Sequence, residues 1–131
     1  MSQSFLGAFN NQLLRFLEEL SETYPEEKKM FSMALEALQG MKKVNPKLIL
    51  DMFYNNVYVD FHTYIENEDE NIIPVAKAKL EKEYNESSMI LIVFDKYWPT
   101  MTEHNRKAIW QYMKVLCILC EKAKGLQKTP A

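Results

Sequence analysis

Ser88-Met89-Ile90-Leu91-Ile92-Val93-Phe94-Asp95-Lys96-Tyr97-Trp98-Pro99 decides the fold class, because Met89 to Phe94 is the longest apolar run in the chain. By intrinsic preference alone that run reads as a buried strand. A lone strand leaves its backbone donors and acceptors without partners, and no other segment reads as β. The consistent reading is a buried helix from Ser88 to Trp98, ended by Trp98-Pro99, since the residue before proline is pushed out of the helical region. Turn chemistry agrees: 3 Gly and 5 Pro in 131 residues are too few to punctuate an all-β chain.

Working outward toward the N-terminus, Ile73, Ala76, Leu80 and Tyr84 keep helical spacing, with Lys77, Lys79, Glu81, Lys82 and Glu83 on the charged face and Pro74 in the first turn. Glu66-Asn67-Glu68-Asp69-Glu70-Asn71 has acids and no apolar anchor, the composition of the main linker. Before it, Leu50, Phe53, Tyr54, Val57, Phe61 and Tyr64 form a stripe that Ile49, Met52 and Ile65 widen. This helix is expected to be central, opened by Asn45 as N-cap with Pro46 in its first turn and Val44 as a hydrophobic staple. Tyr24-Pro25-Glu26-Glu27 opens an earlier helix through Met30, Phe31, Ala34, Leu35 and Leu38, with Gly40, Lys42 and Lys43 marking an end near Met41. The first helix spans roughly Ser4, a candidate N-cap, to Ser21 and buries Phe5, Phe9, Leu13, Phe16, Leu17 and Leu20.

In the other direction, Thr102 caps a last helix whose stripe is Ile109, Trp110, Met113, Leu116, Cys117 and Cys120; it runs to about Ala123 and is closed by Gly125. The expected architecture is all-α, a compact five- or six-helix bundle-like or orthogonal array. It forms one domain over residues 1–125, with residues 126–131 as a frayed tail.

Composition narrows the function classes. The net charge of -2 provides no global field to draw the chain to nucleic acid or anionic lipid. The longest apolar run falls far short of the ~20 residues of a membrane helix, and Met1 to Leu20 lacks the features of an export signal. Without such a signal the sequon Asn85-Glu86-Ser87 carries no weight. Cys117 and Cys120, the 2 cysteines, cannot supply a disulfide framework, so a reducing, cytoplasmic setting is expected.

Local motifs point away from chemistry. Cys117 and Cys120 share one helix face at the spacing of two zinc ligands, but among Val115, Leu116, Ile118 and Leu119 they read as small buried hydrophobes. A four-ligand zinc site would need both His62 and His104 from distant segments. Neither histidine has an acid-base partner at motif spacing, although either could serve as a proximal haem ligand in a helical fold. Glu66, Glu68, Asp69 and Glu70 lack the glycine and closing glutamate of a calcium loop, and phosphate-cradling glycine loops are absent. Lys28, Lys29, Lys42, Lys43 and Lys47 read as a solvated face beside Glu26, Glu27 and Glu36. No catalytic, cofactor-binding or metal-binding residue is assigned, and the chain is expected not to be an enzyme.

An apolar excess remains. Phe, Tyr and Trp number 7, 7 and 2, beside 8 Met. Phe31, Met33, Met52, Tyr58, Tyr97, Trp98 and Met101 lie off or at the edge of their stripes, and exposed residues of these types make adaptable contact patches. Trp98, Met101, Trp110 and Tyr97 are therefore the candidate interaction surface, for a protein partner or for self-association. A ligand-, haem- or metal-binding domain that uses His62, His104 or the cysteine pair is the alternative.

Phe94-Asp95-Lys96-Tyr97-Trp98, followed by Asn105-Arg106-Lys107-Ala108-Ile109-Trp110-Gln111-Tyr112-Met113-Lys114-Val115-Leu116, resembles a pattern in uncharacterised helical proteins of large double-stranded DNA viruses of eukaryotes. There an aromatic-ended helix leads through a polar loop to a helix with an Ile-Trp-x-Tyr-like start. The resemblance covers about a quarter of the chain and supplies no active-site residue. It implies a virus-encoded protein made in the host cytoplasm or carried in the virion. A viral Bcl-2-like bundle would also match in size, but its Asn-Trp-Gly-Arg signature is missing.

Overall fold

The structure, a computed structural model, describes the backbone of residues 2–82 and 88–126 and the side chains of residues 5–82 and 91–126. The sequon at residues 85–87, the expected apolar positions 84, 89 and 90, and the expected frayed tail from residue 127 lie outside the described residues. Every regular element among the described residues is helical: α1 (Ser2–Thr23), α2 (Lys28–Val44), α3 (Lys47–Phe53), α4 (Val59–Glu66), α5 (Ile72–Lys82), α6 (Ser88–Tyr97) and α7 (Glu103–Lys124). A π-helical turn, Tyr54–Tyr58, joins α3 to α4 without a break, so the described residues form an all-α array of six helices.

α1 packs against α2, α3 and α7 and buries Phe9, Phe16, Leu17 and Leu20. The helix expected to be central, α3 with α4, also has several neighbours: its first half meets α1 and α2, and its second half meets α5 and α7. Phe9 meets Phe53 edge-on at 5.1 Å, and Phe16 stacks on Tyr112 at 4.9 Å, so aromatic pairs join α1 to both α3 and α7. Asn10, 2% exposed, donates from Nδ2 to the Pro46 carbonyl and ties α1 to the corner between α2 and α3.

Several boundaries differ from those expected. α1 begins at Ser2, so Ser4 is not its cap. Pro25–Glu27 is a separate 3-10 turn, and α2 starts only at Lys28. α2 runs past Gly40 to Val44, which sets Lys42 and Lys43 in its last turn, where their charge meets the negative end of the dipole. Asn45 ends it and opens the next helix: its N–H donates to the Met41 carbonyl, and its Oδ1 accepts the Lys47 N–H at 3.0 Å. Val44 is 80% exposed and forms no staple.

The acidic linker is a tight connection. Glu68 has a φ of 50°, the left-handed region, and Asp69 Oδ1 accepts the Asn71 N–H. The decisive run is helical in α6, yet it is only partly buried: Val93 is 4% exposed and Ile92 49%. Thr102 accepts the Asn105 N–H at the start of α7, and Gly125 closes it at a φ of 69°, a conformation natural to glycine.

Candidate functional site

The π-helical turn Tyr54–Tyr58 organises both sides of the molecule. Its widened backbone changes the helical phase, so Asn56 and Val57 face one way while Tyr54 and Tyr58 face α7. On the first side lies an apolar cavity of about 450 Å³. α1 gives it Leu13, Phe16 and Leu17; α2 gives Met33, Ala34, Ala37, Leu38 and Met41. Met52, Phe53, Asn56, Val57, Phe61 and Ile65 come from the α3–α4 helix, Ile72, Ile73, Ala76, Lys79 and Leu80 from α5, and Leu91 and Phe94 from α6. Trp98, Ile109, Trp110, Met113 and Leu116 complete the wall. The cavity reaches solvent along α2, where Met33 is 54% exposed and Ala37 is also exposed.

Among the described residues, Asn56 and Lys79 are the only polar ones in that wall. Lys79 is already engaged: its Nζ pairs with Asp60 Oδ2, donates to the Asn56 carbonyl and lies 5.5 Å from the centre of the Phe61 ring. The described wall residues therefore offer apolar contact, the flexible side chains of Met33, Met41, Met52 and Met113, the amide of Asn56, and a lysine paired with Asp60. They include no nucleophile paired with a base.

On the opposite side, Tyr54, Tyr58 and His62 stack in series, Tyr54 to Tyr58 at 5.6 Å and Tyr58 to His62 at 4.5 Å. Tyr58 donates to Glu121 Oε2 at 2.8 Å, and His62 Nδ1 donates to the Tyr58 carbonyl at 2.8 Å. Burial, then the Glu121 carboxylate, drives the Tyr58 hydroxyl well above its ordinary titration range, which keeps it a hydrogen-bond donor. Burial likewise pushes the Cys120 thiol up to about 11, so it is no thiolate nucleophile at neutral pH. Cys117 and Cys120 are both buried and lie outside any disulfide. Among the described residues no three His, Cys, Asp or Glu side chains gather as a metal site.

The expected contact surface is corrected by burial. Trp98, Met101 and Trp110 are 7%, 8% and 7% exposed. Trp98 meets Trp110 edge-on at 5.4 Å, donates from Nε1 to Glu70 Oε1 at 3.0 Å, and lies under the Arg106 guanidinium at 5.4 Å. Arg106 Nη2 also donates to the Trp98 carbonyl at 2.6 Å. Tyr97, half-buried, stacks on Tyr24 at 4.5 Å and donates to Glu27 Oε2. Of the other residues thought surplus to the core, Phe31 is fully buried, Met52 and Tyr58 are half-buried, and Met33 alone is exposed.

The alternative ligand residues are not brought together at the cavity. His104 is exposed, His62 is held by the Tyr58 carbonyl, and neither histidine nor either cysteine belongs to the wall. Lys28, Lys29, Lys42, Lys43 and Lys47 are all exposed, consistent with a solvated face. Sequence reasoning missed Asn56, Val57 and Lys79 as site residues. The one available signal was the pair Asn55-Asn56 inside an otherwise apolar helix, two poor helix formers where the π turn sits. No helix among the described residues is long and apolar enough to cross a membrane. Comparison with protein-family models, curated proteins and solved structures finds no match to this chain.

Proposed function

We propose that the chain is a small, non-catalytic helical binding module that holds an apolar molecule in the cavity between α2 and the α5–α6 pair. The observation that carries this reading is the size and chemistry of the cavity, about 450 Å³ with only Asn56 and Lys79 as polar wall residues among those described. Protein interiors contain few voids larger than a water molecule. The cavity opens to solvent along α2, so its apolar wall faces water until an apolar molecule covers it. Water is a poor filler, because each buried water needs two to four polar partners. An apolar occupant removes that contact with water, and ligand sites of roughly 300–1,000 Å³ are common.

The test is titration with N-phenyl-1-naphthylamine, a neutral apolar fluorophore, followed by its emission and by quenching of Trp98 and Trp110, both in the wall. Saturable one-to-one binding with a rise in Tm supports the reading. Absence of both sinks it. Native mass spectrometry of the purified chain adds the mass of any molecule retained from the cell.

A protein contact is the second reading, favoured by Val75 and Ile92 on the α5–α6 pair, 40% and 49% exposed. Its signature is a dimer or larger species in the same native spectrum.

A further inference from the structure

We infer that the cavity selects a neutral, elongated apolar molecule carrying a single hydrogen-bonding group, of the long-chain alcohol class, and discriminates against the matching carboxylate. This rests on the ligand-binding reading above and concerns what occupies the same cavity. Lys79 is the only cation among the described residues of the wall, and an unpaired lysine there would favour an anionic head. Instead Asp60 Oδ2 is paired with its Nζ, and the Asn56 carbonyl accepts from the same group at 3.4 Å. A carboxylate entering beside Lys79 must displace Asp60 or sit against it as a like charge, and it leaves water to do so. A hydroxyl carries no such penalty: it donates to or accepts from the side-chain amide of Asn56, the other polar residue among the described part of the wall.

Volume sets the length of the molecule. A dry cavity of about 150 Å³ takes one benzene ring, so a cavity of about 450 Å³ accommodates a chain or fused system of roughly three times that bulk. The methionines Met41, Met52 and Met113 line it with flexible side chains that follow an extended tail more readily than branched residues do.

The experiment displaces N-phenyl-1-naphthylamine from the full chain at pH 8 with dodecan-1-ol or dodecanoate, each kept below its aggregation limit. The expected result is displacement by the alcohol at a concentration at least tenfold lower than by the carboxylate. In Asp60→Asn, confirmed as folded by circular dichroism, Lys79 loses the Asp60 carboxylate and the selectivity narrows. Equal or better competition by dodecanoate against the unaltered protein overturns the inference while leaving the cavity reading intact. Unchanged selectivity in folded Asp60→Asn overturns the role given to the Lys79–Asp60 pair. Failure of the fluorophore itself to bind removes the cavity reading, and the inference with it.

Discussion

The Tyr58 hydroxyl donates to Oε2 of Glu121 across 2.8 Å and so joins the π-helical turn to the last turn of α7 through a carboxylate only 8% exposed. A buried carboxylate is tolerable only when its oxygens are bonded. The bond also fixes the phase of the turn: with Tyr58 held against α7, Asn56 and Val57 face the cavity. Tyr58→Phe removes the donor and leaves the acid in place, and should cost about 1–3 kcal/mol in urea unfolding. Glu121→Gln keeps an acceptor at the same position and should cost less. Wild-type stability in Tyr58→Phe would show that the tyrosine contributes packing alone.

Alkaline pH should weaken the fold, with Cys120 and Tyr112 among the groups responsible. Burial lifts Cys120 from its ordinary 9.0 to about 11, and burial followed by the Glu19 carboxylate lifts Tyr112 from 10.0 to about 12. Each raised value means that the unfolded chain releases its proton first, so between the two values the folded state binds more protons and stability falls as pH rises. The contribution is complete below pH 9.0 and is lost progressively as pH passes about 11 and then about 12. Urea midpoints measured from pH 8 to 11 should therefore fall, and Cys120→Ala should flatten the earlier part of the decline. A flat profile across that range would contradict the burial of both groups.

Trp98 gives a sharp contrast between surface and core. As a core residue meeting Trp110, Glu70 and Arg106, its replacement by Ala should cost about 3–5 kcal/mol of stability, the range for large aromatic truncations. Trp98→Phe keeps most of the ring and loses the bond to Glu70, for about 0.5–1.5 kcal/mol. Thermal and urea denaturation separate these values. Normal stability of Trp98→Ala would return Trp98 to the surface.

The helical class was legible because the apolar residues recur at helical steps and because Met89 to Phe94 had no strand to pair with. Caps were legible where a side chain states the geometry: Asn45 and Thr102 both accept backbone N–H groups, and Gly125 takes the left-handed conformation. Gly40 misled because a glycine within a helix needs no positive φ, and α2 continues through it. Trp98 and Met101 misled for a different reason. Trp98–Thr100 is a 3-10 turn and Met101 is extended, so neither residue keeps the α-helical phase on which a stripe is drawn. The π turn likewise set Tyr54, expected on one stripe with Phe53, Val57 and Phe61, against α7 instead of the cavity. The cavity itself was beyond a one-dimensional reading, because it depends on how far α5 and α6 stand from α2, a spacing that no single helix encodes.

That spacing makes Ala76 a direct probe of the cavity. It lies on α5, half-buried, with its methyl group among the wall residues. Leu at this position adds three carbons to an apolar space while keeping a good helix former. At ~0.8 kcal/mol for each buried carbon, less the entropy of fixing a longer side chain, Ala76→Leu should gain about 1–2 kcal/mol of stability. The same carbons occupy ligand volume, so N-phenyl-1-naphthylamine should bind at least tenfold more weakly. The joint result, a higher Tm with weaker binding, is peculiar to filling a real void. Overpacking of a closed core would lower Tm by the equivalent of about 1–3 kcal/mol instead, and unchanged binding would mean that the fluorophore occupies some other part of the molecule.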